Sequence, residues 1–148
     1  MKREDSLKLS SQLCFPLYAA SRELTKAYAP LLKEMGLTYP QYLVMMVLWE
    51  DGSASVKDLG ESLCLDSGTL TPMLKKMESH GLILKTRDPE DQRSVIVSLT
   101  KKGSDFKERA YAVPAAMSCM IGLDEAEARS LYALTYKLLH ALQAREQS

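Results

Sequence analysis

Apolar side chains recur every three or four residues over 7–35, at Leu13, Leu17, Ala20, Leu24, Tyr28, Leu31 and Met35, which predicts one long helix. Cys14, Tyr18, Ser21 and Thr25 form a second stripe beside the first. A helix with two such faces packs against more than its own core, so a subunit interface is expected along it. "TYPQYLVMMVLWEDG" predicts the next helix, with Pro40 at its first position and Asp51-Gly52 as its stop. Its centre is apolar all round, the pattern of a fully buried helix.

Two short helices follow. "SVKDLGESLCL" opens on Ser55 with Asp58 three places later, a capping-box pattern. "DSGTLTPMLKKMESHG" has Asp66 as N-cap and Gly81 as stop. Two helices this close read as a helix-turn-helix. The pattern then turns β-like in "LILKTR" and in "RSVIVSL", where Val95, Val97 and Leu99 alternate with Ser94, Ile96 and Ser98. The charged turn "DPEDQ" joins them, with Pro89 at its second position. Thr100 caps "KKGSDFKERAYAVPAAMSCMI", which Pro114 interrupts, and Asp124 caps "EAEARSLYALTYKLLHALQARE". In that last segment Ala128, Leu131, Leu134, Leu138 and Leu142 keep helical spacing. The expected fold is mainly α with a small β-ribbon: a winged helix-turn-helix.

Composition narrows the choice of function. At 148 residues the chain is expected to form one domain, 1–148, with a winged-helix core at 40–99 between helical segments at 7–36 and 101–146. No run approaches the ~20 apolar residues that span a bilayer. The mixed-charge opening "MKREDSLKLS" shows no secretory signal, so no membrane partner and a cytoplasmic location are expected. Lysine and arginine balance aspartate and glutamate, 19 against 19, so any DNA binding must rest on local arrangement. Cys14, Cys64 and Cys119 form no CxxC pair, and His80 and His140 adjoin no carboxylate cluster or serine motif. Neither zinc nor hydrolytic chemistry is indicated, and no metal or cofactor is expected. The cysteines are either packing groups or reactive thiols.

On a helical wheel of residues 66–81, Leu70, Met73, Leu74 and Met77 make the core face. Gly68, Pro72, Lys75 and Ser79 point away, flanked by Thr69, Thr71 and Lys76. Small hydroxyls in the first turns with lysines behind them suit a helix entering a major groove, and they also suit an ordinary surface helix. Arg87 and Arg93 flank a wing tip carrying Asp88, Glu90 and Asp91. The carboxylates there are expected to orient the arginines, and an arginine so held can enter a minor groove.

The order of elements, "LDSGTLTPMLKKME" and the wing "DPEDQRSVIVSLTKKG" resemble the MarR family of dimeric winged-helix repressors. "QLCFPLYAASRE" joined to "LTYPQYLVMMVLWE" is similar to its OhrR branch, whose members sense organic hydroperoxides through a first-helix cysteine. The resemblance spans nearly the whole chain. It implies a homodimer, dimerising through its N- and C-terminal helices at 7–36 and 101–146, on a pseudo-palindromic double-stranded DNA operator, with organic hydroperoxides as inducers and no enzymatic turnover. By that resemblance Cys14 is the reactive thiol and Cys119 the resolving cysteine of the two-cysteine subtype. Tyr28 and Tyr39 match the tyrosines that approach the sulfur from the partner subunit, and Tyr18 matches a nearby aromatic. Ser67, Thr69, Thr71 and Lys76 fall on the reading helix, while Asp91 and Arg93 match the wing ion pair. Pro16 departs from the family pattern, and Cys64 inherits no role.

The chemistry needs a thiolate, and an ordinary thiol is only about 3% ionised at pH 7. Early-helix dipoles and neutral tyrosine hydroxyls both favour the anion. No Lys, Arg or His adjoins Cys14 in sequence, so hydrogen bonding is the expected cause. Pro16 is expected to free the Gln12 carbonyl and to bend the helix beside the sulfur. If Leu13, Phe15, Leu17, Met45, Met46 and Trp49 line the site, they favour an apolar hydroperoxide, although most of them also suit plain core. Two other readings stay open here: a MarR regulator released by a reversible aromatic ligand, and a thiol peroxidase.

Overall fold

The computed structural model describes residues 3–146. Its first α-helix, α1, runs Cys14–Leu32, shorter than the 7–35 its apolar spacing predicts. Residues Arg3–Leu7 and Leu9–Ser11 instead form two 3-10 turns, and Gln12 is extended. Pro16 therefore falls third in α1, within the first turn, whose amides have no helical acceptor in any case. It costs no helical hydrogen bond and releases no Gln12 carbonyl, so the kink expected beside Cys14 loses its cause. Past Leu32 the chain tightens into a 3-10 turn, Lys33–Met35, and Gly36 ends it at φ 65°.

Helix α2, Tyr39–Asp51, begins with a capping box in which Thr38 N–H donates to Gln41 Oε1 at 3.0 Å. Val44, Met45 and Leu48 are fully buried, but Met46 is 44% exposed. The helix is thus buried on one side, not all round as its composition suggests. Ser53–Ser55 forms a short strand, β1, directly after it. Helices α3 (Val56–Leu63) and α4 (Ser67–Ser79) make the helix-turn-helix, and strands β2 (Ile83–Arg87) and β3 (Val95–Leu99) make the wing. The sheet is antiparallel with order β1-β3-β2, one strand more than the expected ribbon. Ser-Ala-Ser has little strand propensity; β3 recruits it by pairing Ala54 with Val97.

Leu59, Leu70, Leu74, Met77, Ile83 and Val97, each at most 1% exposed, form the centre of the winged helix. The face of α4 predicted to be core is thus buried through Leu70, Leu74 and Met77. Ser55 caps α3 by accepting from Asp58 N at 3.0 Å.

Helix α5, Lys101–Ala110, stops four residues before Pro114, and α6, Ala112–Ile121, restarts after Tyr111. Pro114 has no amide to give the Ala110 carbonyl, and its ring crowds that oxygen, so one expected helix becomes two. Helix α7 runs Glu125–Glu146. The chain divides into two compact units, 1–114 and 115–148.

Within the first unit, α5 lies hard against the end of α4. Thr100 Oγ1 donates to the Gly81 carbonyl at 2.6 Å, and a Cβ on Gly103 would sit 2.1 Å from the Leu82 carbonyl oxygen. Only glycine allows that approach. Gly103→Ala is expected to cost about 1–3 kcal/mol by overpacking. In a thermal melt that is a fall of several degrees. An unchanged melting temperature would show that the Leu82 carbonyl can move aside.

Candidate nucleic-acid interface and redox centre

Asp66 precedes the reading helix, and its carboxylate accepts from Thr69 N–H at 2.9 Å and from Thr69 Oγ1 at 3.0 Å. The Thr69 backbone bond first, and its hydroxyl second, hold the Asp66 carboxyl below the usual aspartate range. The Thr69 proton is spent on this cap, so only its oxygen lone pairs remain for another partner. Ser67, Thr71, Lys75 and Lys76 are exposed along the same helix. Pro72 lies inside α4, so the Gly68 carbonyl lacks its helical donor there.

The wing tip is held by its own carboxylates. Asp91 Oδ1 accepts from Arg93 N–H at 3.0 Å and lies 3.4 Å from Arg93 Nε. Asp88 Oδ1 accepts from Glu90 N–H at 2.9 Å, and an Arg87 guanidinium nitrogen donates to the Gln92 carbonyl at 3.1 Å. The Arg93 side chain is 94% exposed, so the ion pair contributes little stability and leaves the guanidinium in solvent. A cleft of about 310 Å³ opens between α3, α4 and the wing, and Lys57, Thr71, Lys85 and Arg93 all line it. Lys57 and Lys85 were not singled out from the sequence. Lys57 sits on the helix before the reading helix, the element that crosses the phosphate backbone in this architecture, and that position is the signal that was available.

Cys14 is the first residue of α1, exposed and outside any disulfide. The positive end of the helix dipole lies at that turn and favours an anion. Tyr18 follows one turn later on the same face, 60% exposed, with an Arg22 guanidinium nitrogen donating to its hydroxyl at 3.3 Å. Tyr28 and Tyr39 meet with ring centroids 4.5 Å apart, and Tyr42 lies 6.0 Å from Tyr28. Burial, with a smaller effect of neighbouring Tyr28, pushes the Tyr39 phenol up; Tyr42 is raised chiefly by burial as well. Both stay protonated at physiological pH and remain neutral O–H donors.

The sulfur and this tyrosine pair do not meet in one chain. Tyr28 is fourteen residues along an uninterrupted helix from Cys14, about 21 Å of axial rise. Cys119 is exposed on α6, in the second compact unit. Of the residues considered as pocket wall, Met45 is fully buried core and the Trp49 indole donates to the Gly103 carbonyl at 2.9 Å. Leu13, Phe15 and Met46 are exposed. Among the described residues, no cluster of three or more His, Cys, Asp or Glu is placed to hold a metal, and no helix is long and apolar enough to cross a membrane.

Residues 26–110 match the family described as transcriptional regulator SarA/Rot. Over 138 residues the chain is 49% identical to the organic hydroperoxide resistance transcriptional regulator of Bacillus subtilis, covering 93% of this chain and 94% of that one. The chain belongs to the MarR family of transcriptional regulators, in its OhrR branch. This MarR chain is also 36% identical to AbfR, a protein of Staphylococcus epidermidis. It matches the structure of reduced AbfR bound to DNA with a TM-score of 0.79, over 97% of this chain and 98% of that one. Against disulfide-formed AbfR the TM-score is 0.66, at 36% identity and over 95% and 96% of the two chains. The Bacillus subtilis relative is a transcriptional regulator and reduced AbfR is bound to DNA, and the thiol-peroxidase alternative finds no support in either.

For this MarR regulator, Arg93→Ala is expected to weaken binding to a duplex selected from a random pool. It should also lower the slope of log K against log salt by about one. Equal affinity and equal slope would remove Arg93 from the contacts.

Proposed function

We propose that this protein is a homodimeric DNA-binding repressor that senses organic hydroperoxides through Cys14 and lets go of its operator when that thiol is oxidised. The observation that carries the reading is the exposed Cys14 thiol opening α1, in a chain 49% identical to an organic hydroperoxide resistance regulator. The axial separation of Cys14 from Tyr28 supports a dimer, since only a second copy can bring the tyrosine pair to the sulfur. Exposed Leu13 and Tyr18 in the first unit, and Leu131, Leu134 and Leu142 in the second, supply apolar surface that such a dimer would cover.

The chemistry balances as follows. The Cys14 thiolate attacks the outer peroxide oxygen; the O–O bond breaks, and the departing alkoxide takes up a proton to become an alcohol. Cys14 is left as a sulfenic acid. The Cys119 thiol then displaces water from it, forming an S–S bond and releasing hydroxide that leaves as water. In the reduced state a two-fold dimer presents two reading helices to successive major grooves about 34 Å apart, which calls for a pseudo-palindromic site. Ser67, Thr69 and Thr71 face base edges, Lys75, Lys76 and Arg87 meet phosphate, and Arg93, aimed by Asp91, enters the minor groove.

Cys14→Ser is expected to bind the selected duplex as tightly as wild type and to stay bound in cumene hydroperoxide. If it is released as readily as wild type in a gel-shift assay, the sensor assignment fails. Release of both proteins by a phenolic compound, with no response to peroxide, would instead favour a reversible aromatic effector. Cys119→Ser should lose the oxidised dimer band on non-reducing gels while keeping a peroxide response.

A further inference from the structure

The C-terminal ends of two helices converge on α5. The last turn of α2 leaves carbonyls without helical donors, and Lys107 Nζ of α5 donates to one of them, the Trp49 carbonyl, at 2.9 Å. At the end of α4, Lys102 Nζ of the same helix donates to the His80 carbonyl at 2.8 Å. Each ammonium sits at the negative end of a helix dipole, where a cation is favoured. Further bonds tie both joints. The Trp49 indole donates to the Gly103 carbonyl at 2.9 Å, while Thr100 Oγ1 reaches the Gly81 and Leu82 carbonyls at 2.6 and 3.1 Å.

The other end of α2 carries Tyr39. From there a run of touching rings leads back along the helix: Tyr39 to Tyr28 at 4.5 Å, Tyr28 to Tyr42 at 6.0 Å, and Tyr42 edge-on to Trp49 at 6.0 Å. Tyr42 is 3% exposed, so these rings are packed and a displacement at one is felt by the next. An α-helix of thirteen residues is a rigid rod about 20 Å long. Movement at Tyr39 therefore reaches α5 as movement of Trp49. The absence of a Cβ at Gly103 lets α5 press on the Leu82 carbonyl, where the reading helix passes into the wing.

We propose that α5 is a yoke that couples the Tyr28–Tyr39 pair to the reading helix, with the two hydrogen bonds at Trp49 as its joint. The proposal rests on the sensor reading given above and says how oxidation is passed on inside one protomer. Cutting the joint is expected to leave sensing and DNA binding intact and to uncouple one from the other. That outcome distinguishes a coupling role from a merely structural one.

The test uses the full-length protein and a fluorescein-labelled duplex selected from a random pool by the reduced wild type. Lys107→Met keeps the aliphatic stem and removes the donor to the Trp49 carbonyl. In this variant, Cys14 oxidation by cumene hydroperoxide, read by mass, is expected to match wild type, and so is the reduced Kd. The rise in Kd on oxidation should be at least about fivefold smaller than in wild type. Trp49→Phe keeps the ring and removes the indole donor, and it should behave alike. Trp49 is the only tryptophan in the chain, so wild-type emission reports the joint directly. That emission should change with the rate constant of DNA release, and not at all in Cys14→Ser. If both variants fold, oxidise and release DNA as wild type does, or if emission stays constant through release, α5 is not the coupling element. A wild type whose Cys14 oxidises without DNA release would instead overturn the sensor reading itself.

Discussion

A single continuous helix holds the sulfur at one end and Tyr28, one of the two paired tyrosines, near the other. Nineteen residues without a break put Cys14 and Tyr28 about 21 Å apart, and no side chain spans that distance. If these groups are to meet, the chain must do so with a second copy of itself. In the dimer proposed above, the thiol and the paired tyrosines belong to different protomers, so a change at one sulfur would be felt by the partner. Cys14, Tyr18 one turn on, and neighbouring Leu13 and Phe15 are all exposed in the single chain.

DNA binding by a chain with no net charge depends on where its carboxylates are used. Asp58 and Asp66 are engaged in helix caps, Asp88 and Asp91 in the backbone of the wing turn. Each is tied to backbone or hydroxyl groups two or three residues away. The cations keep their reach: Lys75, Lys76 and Arg87 are exposed, and Arg93 is almost wholly in solvent. Binding to phosphate is a matter of local field, and a balanced total charge does not oppose it at the Debye lengths of ordinary salt.

Much of this is legible in the sequence. Asp66, Ser55 and Thr100 cap their helices as the residue types indicate, because a capping oxygen three places from an amide is a local device that tertiary context rarely overrides. The buried face of α4 followed from spacing alone. What spacing could not fix was where α1 begins. Its apolar period continues through 3-10 turns, and only the extended Gln12 marks the true start, which turns Pro16 from a supposed kink into an ordinary first-turn residue. Strand β1 was hidden because its Ser-Ala-Ser pairs through a long-range neighbour and not by propensity. Lys57 and Lys85 are not legible in the sequence because a cleft is made by three elements at once, and no single segment carries its signature.

The Cys14 sulfur is the atom proposed to receive the oxidant. Mass spectrometry of the three thiols after one equivalent of cumene hydroperoxide, added to the reduced protein, reads this directly. Cys14 alone is expected to gain one oxygen, or to be found joined to Cys119, while Cys64 stays unmodified. Cys14 recovered as an untouched thiol from protein that has lost its grip on DNA would contradict it.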